Sequence, residues 1–256
     1  MPEPKLNRED YLKQQSTSLV PDNPNALELV DHLSELRMRV IAIFFSFTSV
    51  ALMAFFYSTK IIAFFELSAP AGSSFFQLKP GELFTVSLKI AVFMGFCISL
   101  PVILHQIFAF MKPGLKEHEI KILAPMVYLT PVLFWTGMIF AYVFIMPSLL
   151  DFLLGFGSGV VEPSYGIEHF INLELSIITA AGICFLIPVF ILTLGYMNLI
   201  SSSNLLAIWR YVVIGAFIIS AIITPTPDPF TMTMLASALL LLYFVTVLIL
   251  RLSKND

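Results

Sequence analysis

Long apolar runs separated by short polar stretches divide this chain. A helix needs about 20 mostly apolar residues to cross about 30 Å of hydrocarbon. Runs of that kind lie at about 38–57, 83–111, 122–146 and 167–195, with shorter ones at about 208–223 and 231–250. They predict an all-α polytopic membrane protein with six transmembrane helices. The second run is longer than the bilayer requires, which implies tilt. Between the last two, Pro225, Pro227 and Pro229 leave room only for a tight turn. The first 36 residues are polar and contain Pro2, Pro4, Pro21 and Pro24. With no apolar core there, no cleavable signal peptide is expected, and the first span inserts as it stands. Residues 1–25 read as a flexible cytoplasmic tail, 26–250 as a single six-span membrane domain, and 251–256 as a second cytoplasmic tail. Residues 26–39, ALELVDHLSELRMR, read as a short amphipathic helix on the membrane surface, because Leu29, Leu33 and Leu36 recur at helical spacing.

The basic residues set the orientation. With a cytoplasmic N-terminus, the inner segments hold Lys5, Arg8, Lys13, Arg37, Arg39, Lys112, Lys116, Lys121, Arg210, Arg251 and Lys254, which is 11 of the 14. The outer loops hold Lys60 and Lys79, Lys89 sits inside the second span, and 147–166 has neither Lys nor Arg. Both termini are therefore expected inside.

Composition narrows the classes further. Apolar residues make up 58% of the 256 and charged residues 12%, against about 45–50% and about 25% in a soluble domain. The mean hydropathy is +0.89. A net charge of −3 offers no global positive field for nucleic acid. Cys97 and Cys184 both lie in apolar runs and do not suggest a disulfide framework. No internal repeat is visible, and the two shortest helices are neighbours at one end. Transporters built on inverted repeats place broken helices at matching positions in two halves, so alternating access is disfavoured.

An intramembrane serine protease also fits six spans, and Gly157-Ser158-Gly159 places a serine between glycines. Ser158 falls in an outer loop, however, and His32, His105, His118 and His169 read as scattered loop histidines without triad partners or metal-ligand spacing. No Gly-rich phosphate loop is present. The sequence indicates neither an enzyme nor a cofactor or metal site.

Charged groups at or within the membrane carry the remaining chemistry. Lys89, about two turns into the second span, either snorkels to the interface or pairs with a carboxylate such as Glu174. Glu174, at a similar depth in the fourth span, is a functional candidate by default, or an interfacial group tied to Lys89 or facing an outer water-filled cavity. Glu35 stands four residues before Arg39, the spacing of a surface ion pair on a helix. Glu117 and Glu119 lie among Lys112, Lys116 and Lys121 in a mixed-charge loop. These residues alone do not name a substrate.

At the same positions the sequence resembles a known family. HLSELRMRV at 32–40 is similar to the His-Leu-x-Glu-Leu-Arg-x-Arg signature of TatC, the multispanning receptor subunit of the twin-arginine protein translocase. LPVILHQIFAFMKPGLKEHE at 100–119 resembles that family's second helix and first cytoplasmic loop. GMIFAYVFIMP at 137–147 resembles its third helix, and TPTPDPFTMTMLA at 224–236 its last outer turn and sixth helix. The order is that of the family, over about residues 28–250.

The resemblance implies a protein that binds signal peptides bearing two consecutive arginines at its cytoplasmic face. With TatA-type and TatB-type single-span partners, and self-associated in a complex, such a protein exports folded cargo using the proton-motive force. Its setting would be the lipid of a bacterial inner membrane, or alternatively of a thylakoid membrane. By motif, Glu35 and Glu119 are the implied peptide ligands; Phe110 and Pro113 match positions that shape the same surface, and Arg37 matches another motif position. Tyr142 and Asp228 match positions that look structural or partner-related. The chemistry is consistent, since a guanidinium fork bonds a carboxylate in a planar geometry that lysine cannot copy. One departure stands out. The family often carries Glu or Gln in a Phe-Glu/Gln-x-Pro motif of the fourth helix, where this chain reads Phe185-Leu186-Ile187-Pro188. Glu174, 12 residues earlier, lies about 18 Å along and about 120° around the helix from that position. A small-solute transporter or channel and a scaffold subunit without a recognition role remain the alternative classes.

Overall fold

The computed structural model describes residues 24–69, 74–155, 164–224 and 228–254. Residues 1–23 of the tail expected at 1–25, Ser158 and its flanking glycines, and Pro225 and Pro227 lie outside the described residues.

Helix α1, Pro24–Phe56, runs unbroken from the polar N-terminal region through the first apolar run. The separate surface helix expected at 26–39 does not form. After Pro24 no Gly or Pro interrupts the stretch, so nothing stops helical propagation into the span. A short helix α2, Ser58–Glu66, follows. Helix α3, Glu82–Met111, crosses back, and a 3₁₀ turn, Lys112–Gly114, leads to α4, Glu117–Phe140. Beyond α4 comes a π-helical stretch, Ala141–Ile145, and then α5, Met146–Gly155. The π stretch ends just before Pro147, whose ring and missing N–H disturb the preceding turn.

The fourth apolar run is two helices, α6 (Ile167–Cys184) and α7 (Ile187–Tyr196). Together they make one candidate span, Ile167–Tyr196, in line with the span expected at about 167–195. Pro188, in the first turn of α7, cannot donate back to the turn before it. The chain tightens there, with Leu186 N–H donating to the Ile183 carbonyl at 3.0 Å. Leu186 itself packs against the buried cluster Cys97, Leu100 and Phe134, an apolar role in keeping with its side chain. Helices α8 (Ser202–Ala207), α9 (Trp209–Ile223) and α10 (Pro229–Lys254) complete the chain.

Among the described residues, five helical stretches are long and apolar enough to cross a membrane, and Trp209–Ile223 is a shorter apolar helix. At 1.5 Å per residue that helix spans only about 22 Å. The protein is thus an all-α, multi-pass membrane protein.

The main core gathers Val86 and Ile90 of α3, Ile145 of the π stretch, Ile171 and Ile178 of α6 and Leu235 of α10, all buried. Lipid tails are as apolar as leucine, so close packing of small residues, not hydrophobic exclusion, holds such helices together. A Cβ on Gly95 of α3 would come within 2.9 Å of Ala51 Cβ on α1, and one on Gly137 of α4 within 2.9 Å of the Ala181 carbonyl on α6. Both positions require a bare backbone. Pro101 lies inside α3 and removes the N–H that would bond the Cys97 carbonyl. Trp135 of α4 replaces it: its indole Nε1–H donates to that carbonyl at 2.9 Å. A backbone oxygen that would otherwise face hydrocarbon unpaired is thereby satisfied.

Candidate functional site

One end of the bundle brings together the start of α1, the end of α3 and the start of α4. On α1, Glu35 Oε1 accepts from Arg39 Nε at 3.0 Å and from the same guanidinium's Nη2. The third guanidinium nitrogen, Nη1, donates to Gln106 Oε1 of α3 at 3.2 Å. The other carboxylate oxygen, Oε2, faces His32 Nδ1 at 3.6 Å. The His32 ring stacks on Phe110 with centroids 4.3 Å apart and planes 14° from parallel. Phe110 therefore forms a flat aromatic shelf beside Glu35. Glu35 is half-buried, and Arg37 and Pro113 are exposed.

Glu119 lies in the first turn of α4. Its Oε2 accepts from the Lys116 backbone N–H at 3.0 Å, the reach-back half of a capping box. A carboxylate here also suits the positive N-terminal end of the helix dipole. Glu119 is half-buried and keeps unused acceptor capacity, while Glu117 is exposed. The end thus offers two accessible carboxylates, an aromatic shelf and a worked instance of guanidinium binding in the Glu35–Arg39 pair.

His32 and Gln106 were not singled out in the sequence as site residues. All four histidines lie in helices, not loops: His32 in α1, His105 in α3, His118 in α4 and His169 in α6. His32 sits inside the quoted HLSELRMR motif, but its stacking partner is distant in sequence. Gln106 is likewise visible only once α1 and α3 are neighbours.

At the opposite end, Lys89 Nζ bonds Glu168 Oε1 at 2.6 Å and Asn172 Oδ1 at 3.0 Å. Of the two readings of Lys89, the pairing with a carboxylate on another helix is the one seen, but the carboxylate is Glu168, not Glu174. Glu168 and Asn172 share one face of α6, and Glu174 is about 200° around the helix from Asn172. Glu174 is fully buried, and neither carboxylate oxygen has a hydrogen-bond partner. The Tyr142 hydroxyl donates to the Phe64 carbonyl at 2.9 Å, and its ring stacks on Phe64, tying the π stretch to α2.

Glu82 joins this end together. Its Oε2 accepts from Leu78 N–H at 2.6 Å and Lys79 N–H at 3.1 Å, and its Oε1 from Glu168 N–H at 3.1 Å. Beside it, strands β1 (Ser74–Phe76) and β2 (Ser164–Gly166) pair in parallel, Ser74 opposite Ser164. Asp228 caps α10: Oδ1 accepts from Phe230 N–H and Oδ2 from Thr231 N–H, each at 3.0 Å. Burial pushes the Asp228 carboxyl up, but the two N–H donors outweigh it and hold it below the ordinary aspartate value. No group of three or more His, Cys, Asp or Glu among the described residues could hold a metal ion.

Comparison with known proteins fits this arrangement. A family model described as "Sec-independent protein translocase protein (TatC)" matches residues 31–237. The chain is 38% identical to the TatC protein of Synechocystis, over 92% of this chain and 90% of that one. It is also 38% identical to the chloroplastic TATC protein of Oryza sativa, over 89% of this chain and 64% of that one. Among solved structures, the crystal structure of a "Twin Arginine Translocase Receptor- TatC" superposes with a TM-score of 0.69 at 31% identity, covering 85% of this chain and 98% of the other. The family match over residues 31–237, the identity to relatives over most of the chain and the structural likeness agree: this chain belongs to the TatC family of Sec-independent protein translocase components.

Proposed function

We propose that this translocase component is the receptor for twin-arginine signal peptides, with Glu35 and Glu119 each taking one guanidinium at the cytoplasmic face. The observation that carries the reading is the Glu35 pair: this carboxylate already takes two N–H donors of one guanidinium beside the Phe110 shelf. An arriving arginine needs the same geometry, and a lysine cannot supply it. Phe110 and Pro113 shape the floor and rim of the surface, and Arg37 contributes to its outer edge. In this reading residues 26–250 form one six-span domain with both termini cytoplasmic, in line with the Lys and Arg distribution. TatA-type and TatB-type single-span subunits assemble on the spans, and the proton-motive force drives folded cargo across.

Two measurements test the proposal. A twin-arginine peptide carrying a photo-cross-linker should label the chain in membranes, and its twin-lysine version should not. Equal labelling by the two peptides would contradict the receptor role. Orientation is tested separately with impermeant thiol reagents. A cysteine at exposed Ser203 should react only from the cytoplasmic side and one at exposed Lys79 only from the other. Ser203 is the better site than its neighbour Ser202, which is buried.

A further inference from the structure

At the end opposite Glu35, a cavity of about 560 Å³ opens between α2, α3, α4 and the π stretch. Its walls are apolar, with Phe64, Phe93, Met94, Met138 and Tyr142 among them. Two further lining residues, Ile139 and Val143, are 62% and 50% exposed, so the cavity opens sideways, where the bilayer lies. Among the described residues that line it, Lys60 alone is charged. Its ammonium sits 5.5 Å from the Tyr57 ring centroid, and among the described residues it has no carboxylate partner. An apolar slot in the hydrocarbon with a lone cation at its rim has a specific complement.

We propose that this cavity binds one anionic membrane lipid, an acyl chain lying in the slot and the phosphate group bonded to Lys60. Basic pockets between spans are known to take anionic headgroups on the cytoplasmic side, and the same charge complementarity applies to a lysine at the rim of an apolar slot on the other. A lysine reaches such a phosphate as a point charge on a flexible stem. The size favours a lipid chain over a protein helix. A spanning helix about 10 Å across and 30 Å long fills on the order of 2000 Å³, several times the cavity. The bound chain would fill the gap beside the Phe64–Tyr142 stack and brace α2 against the π stretch. The inference rests only on the multi-pass fold and is independent of signal-peptide recognition.

The test is native mass spectrometry of the full chain in mixed micelles of detergent with either phosphatidylglycerol or phosphatidylcholine. One phosphatidylglycerol should be retained per chain in preference to phosphatidylcholine. Lys60→Gln should lower that retention about tenfold, the effect of one hydrogen bond to a charged group, and leave phosphatidylcholine unchanged. Ile139→Trp, at an exposed position, should block the slot and lower phosphatidylglycerol retention even with Lys60 present. Lys79→Gln should behave as the parent. Equal retention of the two lipids, a Lys60→Gln protein that holds phosphatidylglycerol as the parent does, or retention unaffected by Ile139→Trp would each overturn the site. So would a co-purified single-span subunit that excludes the lipid from it.

Discussion

The two ends of the bundle use carboxylates in opposite ways. At the end with Glu35 and Glu119, the carboxylates are half-exposed. Glu35 is held by side chains, and Glu119 accepts a single backbone N–H. At the other end, Glu82 accepts three backbone N–H groups from two chain segments, and Lys89 is spent on Glu168 and Asn172. The bonds between Glu35 and the Arg39 guanidinium can be exchanged for bonds to an incoming guanidinium, and Glu119 keeps acceptor capacity beyond its one bond to a backbone N–H. The three bonds that hold Glu82 cannot be given up in that way, because breaking them strands backbone polar groups. The difference separates a surface able to bind from a clasp that holds two loops together.

Removing the clasp should have the largest structural effect. Glu82→Ala strands three N–H groups and should lower stability by about 3 kcal/mol, given about 1.5–3 kcal/mol for a bond to a charged group and partial rescue by water. Thermal unfolding in detergent measures it. Twin-arginine peptide affinity of the surviving folded protein should match the parent. If Glu82→Ala abolished peptide binding in folded protein, the two ends would not be separable.

Trp135→Phe should come next. It orphans the Cys97 carbonyl that Pro101 leaves free, costing about 1–3 kcal/mol. The further replacement Pro101→Ala, which restores the helical N–H, should recover much of that loss. A Trp135→Phe protein as stable as the parent would show that the indole bond is dispensable.

Asp228→Ala should cost about 1 kcal/mol, the usual worth of a helix cap. Because the Asp228 carboxyl titrates below the ordinary aspartate value, the cap contributes fully above about pH 4. Its contribution fades as pH falls through the depressed value. The stability gap between parent and Asp228→Ala should therefore be constant near neutrality and close in acid. A gap that widened in acid would contradict the assigned cap.

Much of this was legible in the chain. Hydropathy located the apolar runs, and the i, i+4 spacing of Glu35 and Arg39 anticipated a pair on one helix. What was not legible depended on which helices become neighbours. The stack of His32 on Phe110 needs α1 beside α3. The Glu82 clasp needs the start of α3 beside the start of α6. Pro188 marks the break at Phe185 and Leu186. The helical period separates Glu168 and Asn172 from Glu174, but only the packing of α3 on α6 decides which of them meets Lys89. Glu174 itself, buried and unpaired, has no sequence signal that distinguishes it from an interfacial carboxylate.

The central claim is that the exchangeable end reads the arginine pair. The direct measurement is the affinity of a twin-arginine peptide for Glu35→Ala, Glu119→Ala and Glu117→Ala proteins in membranes. Losing one bond to a guanidinium should weaken binding about tenfold to a hundredfold in the first two, with insertion and assembly intact. Exposed Glu117, outside the pair, should change it little when replaced. Glu35→Ala and Glu119→Ala proteins that bind the peptide as the parent does would contradict the account.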